Sequence, residues 1–300
     1  MTRLLQFAFA VVVAALLPAI ACADSGKRTN VVLVGATGNL AKKYLLQAFF
    51  DQSQMDPGLH LYPAATKSPD IGQPIIDASL AGNVSCVQSA CLDFQRRVHP
   101  YTQLRKEEHW KALAQTLASD TAGSEHAGTL VYLSIPPSVY KSTAALVNKY
   151  LRPASGWLRV IFEKPFGEDL DSAKDLAAGL SAELAEEEIY RVDHYLGKAG
   201  VQAITDFRRA QAAASGNTWE DLLSNDHVEQ VVVTMMEKEN CAGRTGFYDQ
   251  YGIVRDVLQN HLTEMATLVA MDLTPSGDDK AFNDAKVRTA LFSVPAVCEL

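Results

Sequence analysis

Asn30-Val31-Val32-Leu33-Val34-Gly35-Ala36-Thr37-Gly38-Asn39-Leu40-Ala41-Lys42 decides the architecture of this chain. Residues 30–34 form a short β-branched run that stops at a glycine, the pattern of a buried strand. Residues 42–50 then carry helical spacing. Strand, glycine turn and helix in that order is the setting a dinucleotide-binding fingerprint requires. Small residues at Gly35, Gly38 and Ala41 let the chain turn, let a pyrophosphate approach the main chain and let the helix pack on the strand. The helix N-terminus offers its unpaired N–H groups to phosphate. An ordinary tight strand-to-helix turn would use the same residues, so the rest of the chain has to weigh in.

Outward from this stretch, a second strand is expected over 59–62, ending near Ala64, Ala65, Thr66 and Lys67. An acid there would bind the 2′-hydroxyl of NAD. None occurs before Asp70, and Lys67 suits a 2′-phosphate, so the cofactor reading leans to NADP with NAD left open. An exposed loop lysine would look the same. Residues 68–105 read as loop-rich; 106–118, 139–150 and 170–186 read as helices. Strands are expected over 129–135, halted by Pro136-Pro137, and over 158–162, before Glu163-Lys164-Pro165-Phe166-Gly167. This alternation indicates α/β structure, a doubly wound parallel sheet with helices on both faces and ligands at the carboxyl ends of its strands. Gly35, Pro136 and Lys164 all fall at such ends. The character changes near residue 195. A helix to about 210, a polar stretch over 212–217, a strand over 227–236, a long amphipathic helix over 251–271 and a mixed tail over 274–300 are expected.

Composition sets bounds. The 300 residues are 48% apolar and 21% charged, with a formal charge of -8. That balance argues against nucleic acid, and an anionic ligand must be met by a local basic cluster. Arg3, the apolar run over 7–17 and Ala21-Cys22-Ala23 read as a secretory signal peptide over 1–23, with an uncleaved anchor or a lipidated Cys22 as alternatives. No later segment is long and apolar enough to span a membrane. Four cysteines follow: Cys86, Cys91, Cys241 and Cys298. Cys86 and Cys91 could close a short loop in an oxidising lumen or remain thiols. Asn83-Val84-Ser85 is a glycosylation sequon, expected of a glycoprotein.

Between the two halves lies Glu188-Ile189-Tyr190-Arg191-Val192-Asp193-His194-Tyr195-Leu196-Gly197-Lys198. No core needs an acid, an imidazole, a phenol and an ammonium so close together, because buried charge is costly. A phosphorylated ligand would use them well. Together with Gly35–Lys43, Glu163–Gly167 and Arg255-Asp256-Val257-Leu258-Gln259-Asn260-His261-Leu262, in that order, this stretch resembles the glucose-6-phosphate dehydrogenase family. With the leader and Phe247-Tyr248-Asp249-Gln250-Tyr251-Gly252, the chain is most similar to the family's endoplasmic reticulum branch, in which a dehydrogenase is fused to a 6-phosphogluconolactonase.

The resemblance implies a Rossmann-like NADP-binding domain over 29–195 and an incomplete α+β domain over 196–300. It implies oxidation of glucose 6-phosphate, or another hexose 6-phosphate, at C1 with hydride transfer to NADP, in the oxidative pentose phosphate pathway. By resemblance His261 is the base and Asp193 orients it. Lys164, His194, Tyr195, Lys198, Glu237 and Asp256 contact substrate; Gly35, Ala36, Thr37, Gly38, Asn39, Leu40, Ala41, Lys42, Lys67, Tyr140 and Lys164 contact cofactor; no metal is expected. The implied location is the endoplasmic reticulum lumen, with secretion as the alternative. Asn39 stands where the family usually has Asp, and Ala199 where many members have Glu. The family's large C-terminal antiparallel sheet, which carries its dimer contact, is missing, which argues against a homodimer. The alternative is an inactive fragment that binds nucleotide or pairs with full-length subunits.

Overall fold

The computed structural model describes residues 27–193, 195–215, 227–236, 245, 249, 252–274 and 277–293. The chain divides between His194 and Tyr195 into two compact units.

In the first unit, β1 (Arg28–Val34), β2 (Leu59–Ala65), β3 (Thr102–Gln103), β4 (His126–Leu133), β5 (Trp157–Glu163) and β6 (Ile189–Val192) form one sheet in the order β3-β2-β1-β4-β5-β6. Every pairing is parallel. This is the Rossmann-like doubly wound order, whose direction reverses between β1 and β4. Among the described residues six α-helices accompany it: α1 (Leu46–Met55), entered through a π-helical turn at Ala41–Leu45; α2 (Pro69–Asn83); α3 (Gln88–Gln95); α4 (Glu107–Thr121); α5 (Tyr140–Tyr150); and α6 (Leu170–Ser181).

The strands are continuous apolar runs because both faces are covered. Alternate residues feed two cores. Val31, Leu33, Leu130, Tyr132 and Ile161 pack against Leu46 and Phe49 of α1 and Ile76 of α2. Val32, Val34, Val131, Leu133, Val160 and Phe162 pack against Trp110 and Leu113 of α4, Ala144 and Val147 of α5 and Leu180 of α6.

The loop expected over 68–105 is instead two helices and a short strand. In α2 only Gly72, Ile76 and Ser79 are buried, and in α3 only Phe94. Stripes that thin leave no apolar period to detect. Gly72 packs so closely that a Cβ there would lie 2.2 Å from the Tyr101 ring. Cys86 and Cys91 form a disulfide with Cα atoms 5.6 Å apart, an ordinary separation for such a bridge.

The second unit contains α7 (Ala199–Ser215), a π-helical segment Val254–Leu262 that runs into α8 (Thr263–Ala270), and α9 (Asp279–Ser293). Val201, Leu268, Met271 and Ala285 form its core. Buried Arg208 donates to the main-chain carbonyls of Leu268 and Met271, 2.8 Å each, answering the orphan acceptors at the end of α8. Three expectations change here. Residues 212–215 belong to α7, and 279–293 are helical. Residues 227–236 are not a strand; a β-branched run becomes one only where a neighbour completes its ladder, and the described residues of this unit contain no strand.

Near the amino ends of β1 and β2, polar groups are clustered and mutually satisfied. Asp120 Oδ2 lies 3.1 Å from His99 Nδ1 and accepts from the Tyr62 hydroxyl at 3.0 Å. His99 Nε2 is 3.1 Å from both Arg28 Nη2 and His60 Nδ1. This pattern needs a neutral His99 with its proton on Nδ1, so that Nε2 accepts from Arg28 and His60. Burial chiefly, aided by the Arg28 charge, lowers His60 to about 4. Burial also lowers His99, with Asp120 opposing. The unfolded chain therefore binds protons that the folded chain refuses between the ordinary value of 6.5 and about 4. Stability is fully present above that window and is lost as pH falls through it. In His60→Asn, whose amide can stand in for Nδ1–H without titrating, melting temperature is expected to fall less steeply from pH 6.5 to 4. Parallel curves would contradict this account of the cluster.

Candidate functional site

The register of the sheet sets the site. Val34 pairs with Leu133 and Leu133 with Phe162, so the strands end nearly level. Glu163 pairs with Val192, placing Lys164 and Asp193 side by side one residue beyond. Gly35, Lys164 and Asp193 thus leave the same carboxyl edge of one parallel sheet.

The glycine turn is fixed by its packing. Gly35 has φ +89°, and a Cβ there would lie 2.0 Å from the Ser134 carbonyl oxygen. Its N–H and that of Ala36 both donate to the Ala64 carbonyl, at 2.8 and 3.0 Å. Gly38 N–H donates to Gly35 O at 2.9 Å, and Lys42 N–H to Gly38 O at 3.1 Å. Ala36 and Ala41 are fully buried, whereas Asn39 is exposed and Thr37 half-exposed. Leu40 packs at the edge of the core. This is a bare main-chain cradle against a helix start, suited to a dinucleotide pyrophosphate.

Lys67 is exposed just beyond β2, and its carbonyl accepts from the Tyr101 hydroxyl at 2.9 Å. Tyr140 is fully buried; its hydroxyl donates to the Glu163 carbonyl at 2.8 Å, bracing the end of β5 from behind. Lys164, half-buried, precedes a cis peptide bond to Pro165 and donates its main-chain N–H to Val192 O at 3.3 Å.

One ionisable group here was missed in the sequence reading. Glu163 is only 7% exposed and accepts a short hydrogen bond from the buried Tyr132 hydroxyl. Burial pushes its carboxyl up to about 7; the Tyr132 bond opposes, the Asp193 charge adds, and the Lys164 charge opposes. An acid closing an otherwise apolar strand was the available signal.

In the second unit three of the predicted residues, Tyr195, Lys198 and His261, meet around one ring. The imidazole of His261 stacks on Tyr195 with centroids 3.8 Å apart and planes 23° apart. Lys198 Nζ sits 3.4 Å from the same Tyr195 centroid. Two such close approaches require opposite faces, so the phenol is sandwiched between imidazole and ammonium. His261 is 3% exposed, on the π-helical segment. Asp256 precedes it by five residues, the hydrogen-bonding interval of a π-helix, so the two sit about one turn apart on one side. His194 and Glu237 lie outside the described residues.

The comparisons with known proteins identify the family. Residues 32–203 match the profile of the glucose-6-phosphate dehydrogenase NAD-binding domain, and residues 214–296 that of its C-terminal domain. The chain belongs to the glucose-6-phosphate dehydrogenase family. It is 42% identical over 258 residues to the GDH/6PGL endoplasmic bifunctional protein of Oryctolagus cuniculus, covering 81% of this chain and 32% of that protein. It is 31% identical over 272 residues to glucose-6-phosphate 1-dehydrogenase of Dictyostelium discoideum, covering 88% of this chain and 53% of that one. A solved glucose-6-phosphate dehydrogenase in complex with its substrate glucose 6-phosphate matches with TM-score 0.78 and 27% identity, covering 89% of this chain and 56% of that chain. The chain thus spans about a third to a half of the length of these relatives.

The turn geometry gives a direct test. Gly35→Ala combines a left-handed φ with displacement of the Ser134 carbonyl and is expected to cost at least about 1–3 kcal/mol. Asn39→Asp, exposed and in the family's usual form, should leave the melting temperature nearly unchanged. Equal losses in the two variants would refute the strain assigned to Gly35.

Proposed function

We propose that this chain oxidises a hexose 6-phosphate, glucose 6-phosphate first among candidates, at C1 and delivers the hydride to NADP. The observation that carries the reading is the ring sandwich: His261 is held against Tyr195, with the Lys198 ammonium on the other face. It unites the expected base with two groups expected to hold the substrate phosphate.

NADP, bound on the glycine cradle, would supply a hydride acceptor. The chain's own residues do the rest. Residues 35–42 hold the pyrophosphate end, and Lys67 meets the 2′-phosphate, which favours NADP over NAD. His194, Tyr195 and Lys198 bind the sugar phosphate, while Lys164, Glu237 and Asp256 orient its hydroxyls. His261 takes the C1 hydroxyl proton as the hydride leaves, and Asp193 orients the imidazole and stabilises its cation. On this reading residues 29–195 are the cofactor domain and 196–300 the substrate domain.

The endoplasmic reticulum lumen is the proposed location, reached through the leader over 1–23, with Asn83 glycosylated. Similarity to the endoplasmic bifunctional proteins and the Cys86–Cys91 disulfide support this. Among the described residues no helix is long and apolar enough to cross a membrane. A second reading, a chain that binds nucleotide without turnover, alone or paired with longer family subunits, draws on Val232 and Met236, 72% and 89% exposed on the second unit.

Folded chain mixed with NADP and glucose 6-phosphate is expected to produce NADPH, followed by absorbance. His261→Ala should lower turnover by about 10²–10⁴-fold while sugar phosphate binding stays within a few-fold. Nucleotide binding without any turnover in the wild type would favour the second reading and end the first.

A further inference from the structure

The reaction outlined above gives Glu163 no role, yet the fold invests heavily in it. It closes β5 at the carboxyl edge, and two buried phenols from different elements converge on it. Tyr132 of β4 donates to its carboxyl and Tyr140 of α5 to its carbonyl. Phe49 of α1 stands edge-on to Tyr132 at 6.1 Å, closing that side with an apolar ring. The residues that continue β5 and β6 past the Glu163–Val192 pair are Lys164 and Asp193. Packing does not ask for a carboxyl here, since an apolar side chain of similar volume would avoid the desolvation cost. The acid sits where its charge is felt by a cation and an anion of the candidate site at once.

We propose that Glu163 is a positioning residue whose protonation is coupled to the charges of Asp193 and Lys164, so that the strand ends keep a balanced charge as the site fills. While Asp193 carries its negative charge, Glu163 holds its proton more tightly and adds no second negative charge. When a cation neutralises Asp193, the hold of Glu163 on its proton weakens, and the carboxylate that forms as the proton passes to water accepts from Tyr132 and attracts the Lys164 ammonium. Tyr132 and Tyr140 hydrogen-bond it, and the charges of Asp193 and Lys164 act on it from the ends of the neighbouring strands. Burial and the Asp193 charge raise its pKa, and Tyr132 and Lys164 restrain the rise, as this coupling requires. The coupling is a property of the first unit. Only its use in turnover rests on the proposed function.

The test therefore does not need activity. Glu163→Gln keeps an acceptor for Tyr132 but cannot ionise. The folded wild type binds a proton between the ordinary carboxyl value of 4.5 and about 7 that the unfolded chain has released. Glu163 thus contributes stability that is fully present at and below the lower value and is lost as pH rises through the upper one. Relative to Glu163→Gln, the folding equilibrium of the wild type should fall by up to about tenfold per pH unit across that window. In an Asp193→Asn background the midpoint of this difference should move to lower pH, and in Tyr132→Phe to higher pH. A flat difference curve, or a midpoint that Asp193→Asn leaves in place, overturns the proposal. Should Glu163→Gln fail to fold, the infrared carbonyl band of a buried carboxylic acid, titrated in wild type and in Asp193→Asn, gives the same two midpoints. Stability midpoints that behave as expected in a chain that never reduces NADP would sustain the coupling and remove only the enzymatic reading.

Discussion

The level ending of parallel strands is the constraint on which the site depends. In this sheet Val34, Leu133 and Phe162 form one row, and Glu163 pairs with Val192 in the next. One residue of slip in any strand would send its side chains to the opposite face and withdraw its terminal residue from the edge. Register is held by the two cores, because β1, β2, β4, β5 and β6 each feed apolar side chains to both of them. The apolar interior therefore does more than stabilise the unit. It brings the glycine turn, Lys164 and Asp193 to one edge from segments far apart in sequence.

An acidic chain that accommodates anions must do so with local fields. The Gly35 turn leads into a helix start, which can attract an anion without net charge and is unaffected by a formal balance of -8. Asn39, exposed at that helix start, keeps an acceptor without adding a negative charge there. Lys198 is held on the Tyr195 ring. Lys164 leaves the sheet beside an acid, Asp193, and just after a second acid that burial tends to neutralise.

Legibility from sequence followed the physics of each element. The central strands were visible because residues buried on both faces are apolar without interruption, as in 30–34. Helices α2 and α3 were not, because Gly72, Ile76, Ser79 and Phe94 are too few to mark a face. The run over 227–236 misled because a strand is a property of a pair of segments, and composition describes only one of them. The Gly35 turn, Lys164, Tyr195, Lys198 and His261 stood out through ordered motifs. Glu163 with Tyr132 did not, since the bond joins residues 31 apart that meet only through register.

The π-helical segments were equally hidden, for nine residues cannot distinguish a period of 3.6 from a slightly wider one. Their placement is informative. One, Ala41–Leu45, carries the residues that lead from the glycine cradle into α1; the other, Val254–Leu262, carries Asp256 and His261. A π-helix has poorer geometry than an α-helix and persists where function or packing demands it. In an α-helix five residues turn through about 500°, leaving Asp256 and His261 roughly 140° apart around the axis. The wider turn brings them to one side while His261 stays buried against Tyr195. The local loss of helical stability is offset by packing further along, where α8 joins the core through Leu268 and Met271 and Arg208 ties its last carbonyls. The imidazole is thereby fixed by a ring on one side and a distorted helix on the other, and its position depends on unit two's small core as much as on the residues beside it.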